Sequence, residues 1–271
     1  MGADAPSPVV PAGHGEMNRW DRRIERAQVL EREYPAAAEF LSFYREIARF
    51  QKQVAQSAIS VAVTATPEFL IGGYGDCHRN AFGGYGDSHR NALLALLQRV
   101  APEDLAQTAA VLAQFDDWDP ADSAVQFIRR VLTQPYAEHQ ALGTVRDQPS
   151  GASSTCPVCG EPPVAAVLRP EGEGGKRSLV CSLCFTEWNF RRLLCPKCGE
   201  EDQLKLPVYT AEPYPHVRIE ACDTCRTYLK SIDMTRNGLA VPEVDELASV
   251  PLDLWAAEHD YTKLKANLFG L

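Results

Sequence analysis

Cys156-Pro-Val-Cys159, Cys181-Ser-Leu-Cys184, Cys195-Pro-Lys-Cys198 and Cys222-Asp-Thr-Cys225 follow one another with spacers of 21, 10 and 23 residues. Two residues between cysteines let one tight turn aim both sulfurs at a single point. Two such turns supply the tetrahedral S4 shell favoured by Zn or by a single rubredoxin-type Fe. Gly160 and Gly199 directly follow two of the pairs. Glycine there lets the turn close with positive φ. Sequential pairing joins Cys156, Cys159, Cys181 and Cys184 as site 1, then Cys195, Cys198, Cys222 and Cys225 as site 2. Each loop then carries about one β-hairpin. A crossed pairing would interleave the turns, and the sequential one is favoured. The expected cofactors are therefore two metal ions, Fe or Zn, each in a four-cysteine site.

A disulfide framework is the competing use of eight cysteines. The opening Met1–Pro6 has no basic or apolar export region, so no secretory signal is expected. Disulfides do not persist in the reducing cytosol expected for such a chain. Eight thiolates fill two four-coordinate shells and leave no open position, which disfavours hydrolytic zinc chemistry. Electron transfer by Fe needs no open position and stays admissible.

The rest of the chain is ordinary in composition. Its 271 residues are 45% hydrophobic and 23% charged, with a net charge of −9. At about 150 residues per domain, two domains are expected. Residues 1–15, rich in Ala, Pro and Gly, read as a disordered arm. Residues 16–145 read as an α-helical domain. Phe40, Leu41, Tyr44, Ile47, Ala48, Val54, Ala55 and Ile59 form one apolar stripe there. Further helices are expected near 91–100, 103–115 and 122–142, with Asp119-Pro120 as the start signal of the last. A linker around 148–154 leads to short β-type runs at 164–168, 178–180, 206–209 and 217–220. The expected modules are 155–193 and 194–235, followed by a C-terminal helical segment at 243–271.

Ten residues, Gly72–Ala81, recur at Gly83–Ala92 with one change, Cys77 against Ser88. Two glycine-rich units are too few for a solenoid. Metal or catalytic use of Cys77, His78 or His89 is disfavoured, because Ser88 breaks the Cys–His pair in the second copy. Asp87 or Ser88 is expected to cap a helix opening near His89.

The run from Cys181 through Phe185, Glu187, Trp188 and Arg192 to Cys195 resembles the signature of the formate dehydrogenase accessory protein FdhE family. So do Glu220-Ala-Cys222-Asp-Thr-Cys225 with Tyr228-Leu229-Lys230, Cys156-Pro-Val-Cys159-Gly-Glu-Pro-Pro163, and Glu246-Leu247-Ala248-Ser249 running on to Leu252-Asp253. The resemblance is tight from 155 to about 255 and only architectural before that. It implies an α+β multidomain fold: an N-terminal helical bundle, two tandem rubredoxin-like or zinc-ribbon modules, and a C-terminal helix. It further implies a cytoplasmic accessory protein, not an enzyme, that binds the formate dehydrogenase catalytic subunit. Glu187, Trp188, Arg192, Tyr228 and Lys230 are the partner-binding candidates, each also readable as a packing or ion-pairing residue.

Two other classes compete. A zinc-ribbon nucleic-acid binder should be basic. Residues 156–230 instead carry ten Lys/Arg against ten Asp/Glu, before any thiolate is counted. Nucleic-acid binding is therefore not expected. Nor is membrane insertion, since no run is long and apolar enough. A rubredoxin-type electron carrier is the other alternative.

Overall fold

The computed structural model describes residues 12–62, 85–114, 119, 121–144, 153–172 and 174–271. Residues 1–11 of the expected arm, the first repeat copy with Cys77 and His78, and linker residues 148–152 lie outside these.

Five helices come first: α1 (Ala12–Glu33), α2 (Ala38–Ala62), α3 (Tyr85–Val100), α4 (Glu103–Leu112) and α5 (Ser123–Thr144). Of the α2 stripe, Leu41, Tyr44, Ile47, Ala48, Val54 and Ala55 are buried and Phe40 is half-buried, while the Ile59 side chain lies outside the described ones. Leu93, Leu97, Ile128 and Val131 of α3 and α5 complete that core.

Three helix starts differ from expectation. α1 begins at Ala12, inside the segment read as an arm. No proline lies between Pro11 and Pro35, so nothing in that stretch interrupts a helix. α3 begins at Tyr85, so Asp87 and Ser88 lie in its first turn instead of capping it. α5 is capped by Asp122, whose Oδ1 accepts from the amides of Ala124 (2.7 Å) and Val125 (3.1 Å). Asp119 closes the preceding turn by accepting from the Ala121 amide at 2.8 Å.

The cysteine-rich part forms one seven-stranded sheet. Its strands are β1 (Pro163–Glu171), β2 (Gly174–Cys181), β3 (Glu187–Asn189), β4 (Val208–Thr210), β5 (Val217–Cys222), β6 (Thr227–Asp233) and β7 (Thr262–Lys263). The spatial order is β3-β2-β1-β6-β5-β4, with β7 also on β6. The two ribbons expected as tandem modules are thus joined edge to edge. β1 runs parallel to β6 from Ala165↔Lys230 to Leu168↔Asp233. β7 pairs with the remainder of β6, Thr227↔Thr262 and Tyr228↔Lys263. β1 is apolar and buried from Pro163 to Leu168, as a strand covered on both faces requires, and ends in exposed Arg169, Pro170 and Glu171. β6 is buried along its whole length despite containing Thr227, Lys230, Ser231 and Asp233.

The C-terminal segment is not one helical unit. It forms α6 (Pro242–Ala248) and α7 (Val250–Glu258), then β7 and a non-helical tail. Pro251 lacks an amide hydrogen and fits only the first turn of a helix, so a new helix begins there. Asp260, at φ 60°, turns the chain out of α7. The tail carries Phe269 back to the helical half, where its ring lies 4.4 Å from Phe40 and 5.5 Å from Phe127, centroid to centroid. Val244 and Leu247 of α6 pack with Leu30 and Leu41. The helical and cysteine-rich halves therefore share apolar cores.

Candidate metal centres

The second cysteine pair of each group is made by a strand connection. Cys181 ends β2 and the turn Cys181–Cys184 leads toward β3. Cys222 ends β5 and the turn Cys222–Cys225 leads into β6. The first pair of each group stands in the loop ahead of β1 or β4 and folds over against it. The turns show the sulfur-directed amides the motif calls for. The amides of Val158, Leu183 and Lys197 lie 3.4 Å from the sulfurs of Cys156, Cys181 and Cys195.

The residue after every second cysteine has positive φ: Gly160 at 76°, Phe185 at 50°, Gly199 at 78° and Arg226 at 55°. The amides of Gly160, Gly199 and Arg226 donate to the carbonyls of Cys156, Cys195 and Cys222 at 2.8–3.0 Å. The glycines take this geometry without a Cβ penalty. Phe185 and Arg226 take it under strain, held by their side chains. Phe185 lies under the Arg23 guanidinium at 4.6 Å. Arg226 donates to the carbonyl oxygens of His259 and Asp260 and stacks on Tyr261 at 4.0 Å. Nothing in the local sequence at 185 or 226 announces this conformation.

Cys156, Cys159, Cys181 and Cys184 gather in one group, and Cys195, Cys198, Cys222 and Cys225 in another, every sulfur within 4.8 Å of the others in its group. This is the sequential grouping. Five sulfur–sulfur separations run from 3.3 Å (Cys159–Cys181) to 3.7 Å (Cys195–Cys225 and Cys198–Cys222), and the others stay within 4.8 Å. A regular tetrahedron with metal–sulfur bonds of about 2.3 Å has edges of about 3.8 Å. The donor set and spacing thus fit a four-coordinate Zn or Fe in each group.

The electrostatics point the same way. Hydrogen bonds from Cys159, Cys181 and Cys184 hold the Cys156 thiol far below its ordinary value. The same crowding, with burial, pushes Cys181 and Cys184 up. Burial lifts Cys195 to about 12. Four sulfurs this close cannot all ionise alone, and a cation at their centre removes the conflict.

The two groups differ in cover. Cys156, Cys181 and Cys184 are buried with Trp188, Phe190, Leu194 and Ala141 of α5. Arg130 of α5 also donates to the Ser182 carbonyl at 2.5 Å. In the second group Cys198 is exposed and Cys225 half-buried.

Of the partner-contact candidates, three are interior. Trp188 is buried and donates to the Ser153 carbonyl at 2.9 Å. Tyr228 donates to Asp253 Oδ1 at 2.7 Å. Lys230 is fully enclosed, its Nζ 2.6 Å from Asp253 Oδ2 and 3.0 Å from Glu246 Oε1. These side chains support the fold and present no surface for a partner. Glu187 is partly exposed and forms a bidentate pair with Arg169 at 2.7–2.9 Å. Arg192 is exposed.

Sequence reasoning missed two buried ionic knots that lock the centres to the helices. Arg23, enclosed, donates to both oxygens of Glu138 (2.9 Å) and to Glu243 (2.6 Å). Asp245 accepts from Arg26 at 2.5 Å and lies 2.7 Å from His216 Nε2. Their partners are separated by up to 220 residues, so no local spacing reveals them.

Comparison with known proteins follows the same division. Residues 155–192 match the family model described as FdhE, central domain, and residues 193–269 match FdhE, C-terminal domain. A "Protein FdhE homolog" from Aquifex aeolicus is 39% identical over 42% of this chain and 41% of its own length. A "Protein FdhE homolog" from Haemophilus influenzae (strain PittEE) is 31% identical over 66% of this chain and 59% of its own length. These matches span about half the length of the curated relatives. The crystal structure of the FdhE protein from Pseudomonas aeruginosa shares the fold, with a TM-score of 0.70 at 23% identity over 97% of this chain and 98% of that one. Four cysteine turns in their expected order lie inside the two matched stretches, so residues 155–269 carry the central and C-terminal domains of the FdhE family.

Proposed function

We propose that the chain is a cytoplasmic accessory protein of formate dehydrogenase, not itself an enzyme, which holds that enzyme's catalytic subunit through its metal-bearing region. The observation that carries this reading is the pair of closed four-cysteine groups inside the FdhE central and C-terminal domains. With four protein sulfurs per ion, no coordination position is left for a substrate, which favours binding over hydrolysis. Each bound ion would cross-link two turns, and in Fe form it would also supply a one-electron couple. The chain's own residues do the rest. β1 and β6 join the two ribbons, and the knots at Arg23 and Asp245 fix them against α1 and α5. A rigid composite surface results, suited to docking a folded client. The two ribbons act as tandem rubredoxin-like modules on one sheet. Among the described residues no helix is long and apolar enough to cross a membrane.

The test is co-purification of the formate dehydrogenase catalytic subunit with the tagged chain from the native host, alongside formate dehydrogenase activity in cells. Cys198→Ser should lose both while the far-UV spectrum keeps its helical signal, and Cys159→Ser should lose both as well. Retained binding and activity in both variants would overturn the proposal. The metal identity follows from metal content and the visible spectrum of anaerobically prepared protein. Reversible bleaching would favour the electron-carrier alternative.

A further inference from the structure

Beside the second cysteine group lies a cleft of about 190 Å³ between the 192–196 segment and the β4–β5 ribbon. Its floor is aliphatic, built from Leu168, Leu194, Leu206, Leu229 and Leu264. At its mouth stand Leu193 and Val208, 49% and 52% exposed. Isolated exposed aliphatics are ordinary, but two that flank an apolar cleft form a patch that gains by being covered.

The charge lining the cleft is positive, with Arg177, Arg192 and Arg218 against Glu220. Arg192 is exposed and has no counter-ion among the described residues. Arg218 has a buried Nε without an acceptor, and its other nitrogens reach carboxylates only at 3.6 Å (Glu220) and 4.0 Å (Asp233). The cleft's own carboxylate, Glu220, is taken by Arg177 at 2.7 Å. In a chain of net charge −9 this is a local inversion of sign. Val208 also belongs to β4, the last strand in the sheet order, paired only with β5. Among the described residues no strand pairs with its outer edge, which can take an added strand.

We propose that this cleft binds an extended segment of the client polypeptide in which a leucine-like side chain is flanked by carboxylates. The apolar side chain fills the leucine floor, a carboxylate pairs with the exposed Arg192 guanidinium, and the segment's backbone lies along β4. This rests on the accessory reading above and names the surface and the partner chemistry through which it works.

The test uses the metal-loaded full chain and a fluorescein-labelled ten-residue peptide of alternating Leu and Glu, read by anisotropy at physiological ionic strength. Matched Leu/Lys and Ser/Glu peptides are the controls. The Leu/Glu peptide should bind about tenfold or more tightly than either control, and Arg192→Glu and Leu193→Asp should each weaken it about tenfold with both metals retained. Affinity unchanged in both variants, or equal binding of the Leu/Lys peptide, would overturn the proposal. So would loss of metal in Arg192→Glu, which would assign that arginine to balancing thiolate charge. Self-association abolished by Leu193→Asp would give the cleft to a second copy, and displacement of the peptide by a single-stranded RNA oligonucleotide would give it to nucleic acid. Either result overturns it. If the formate dehydrogenase catalytic subunit co-purifies with wild type and both variants alike, the cleft is wrong and the accessory reading stands. If it never co-purifies with wild type, the accessory reading fails, and the peptide arm judges the cleft alone.

Discussion

Lys230 Nζ lies 2.6 Å from Asp253 Oδ2, with the whole lysine side chain at 0% exposure in the central strand of the sheet. Glu246 and Lys263 close the group: Lys263 contacts Glu246 and lies 3.1 Å from Asp253 Oδ1. Two cations thus face two carboxylates behind β6. Burial lowers the Lys230 pKa despite both acids, a sign that desolvation is only partly repaid. Replacing such a group whole is often neutral, but removing one member strands the others. Lys230→Met should therefore cost about 3–5 kcal/mol. Urea unfolding of the metal-loaded protein should show a lower midpoint at unchanged slope. A loss under about 1 kcal/mol would mean that the network does not hold β6 in place.

Asp245 supplies the pH dependence. Burial alone would raise its pKa, but hydrogen bonds from His216 and Arg26 hold it below 3.8. A carboxylate depressed in the fold contributes stability above its unfolded value, and this is lost as pH falls through the folded value. Asp245→Asn leaves Arg26 without its anion and should cost about 3–5 kcal/mol at pH 7. The gap in thermal midpoint between wild type and variant should stay constant from about pH 8 to 5 and shrink below about pH 4. A gap that widens on acidification would contradict this sign.

The metal turns were legible because a two-residue cysteine spacing has one economical use, and because glycines at 160 and 199 mark positive φ. The strain at Phe185 and Arg226 was not, since it is tolerated only through contacts with Arg23 and with Asp260 and His259 that come from remote chain segments. β6 escaped notice for a related reason. Thr227, Lys230, Ser231 and Asp233 look like solvent-facing residues until Asp253, Glu246 and Arg218 are brought against them. Tyr228 and Lys230 therefore read as surface contacts in sequence and prove to be interior. The late Glu246–Asp253 motif did carry the signal, as the acidic half of that buried network.

Gly199 has φ of 78° with nothing within 4 Å of where a Cβ would stand, so an alanine there meets no clash and only backbone strain. That strain is about 1–2 kcal/mol, or roughly five- to thirty-fold in an equilibrium constant. Because the turn it closes carries Cys195 and Cys198, Gly199→Ala should weaken metal retention at the second group by that factor and leave the first unaffected. Competition with a chromogenic chelator measures it. An unchanged affinity would mean that the turn relaxes without moving its sulfurs.

The unequal cover of the two groups predicts unequal metal release. Opening the first group requires parting Cys181 and Cys184, both fully buried, from Ala141, Trp188 and Leu194. It also breaks the Arg130 bond to the Ser182 carbonyl. The second group presents Cys198 to solvent, and among the described residues no apolar cluster ties its sulfurs to a helix as Ala141 ties the first. Local opening free energy sets exchange rate, and each additional 1.4 kcal/mol slows it about tenfold. Excess chelator should therefore remove two ions per chain in two phases, the faster from Cys195, Cys198, Cys222 and Cys225. Cys198→Ser should abolish the fast phase and Cys159→Ser the slow one. The far-UV spectrum should hold through the first phase, because that group is anchored to strands and not to the helical core, and should change only in the second. Release in a single phase, or a fast phase that survives Cys198→Ser, would show that the helical cover of the first group does not control access to its ion.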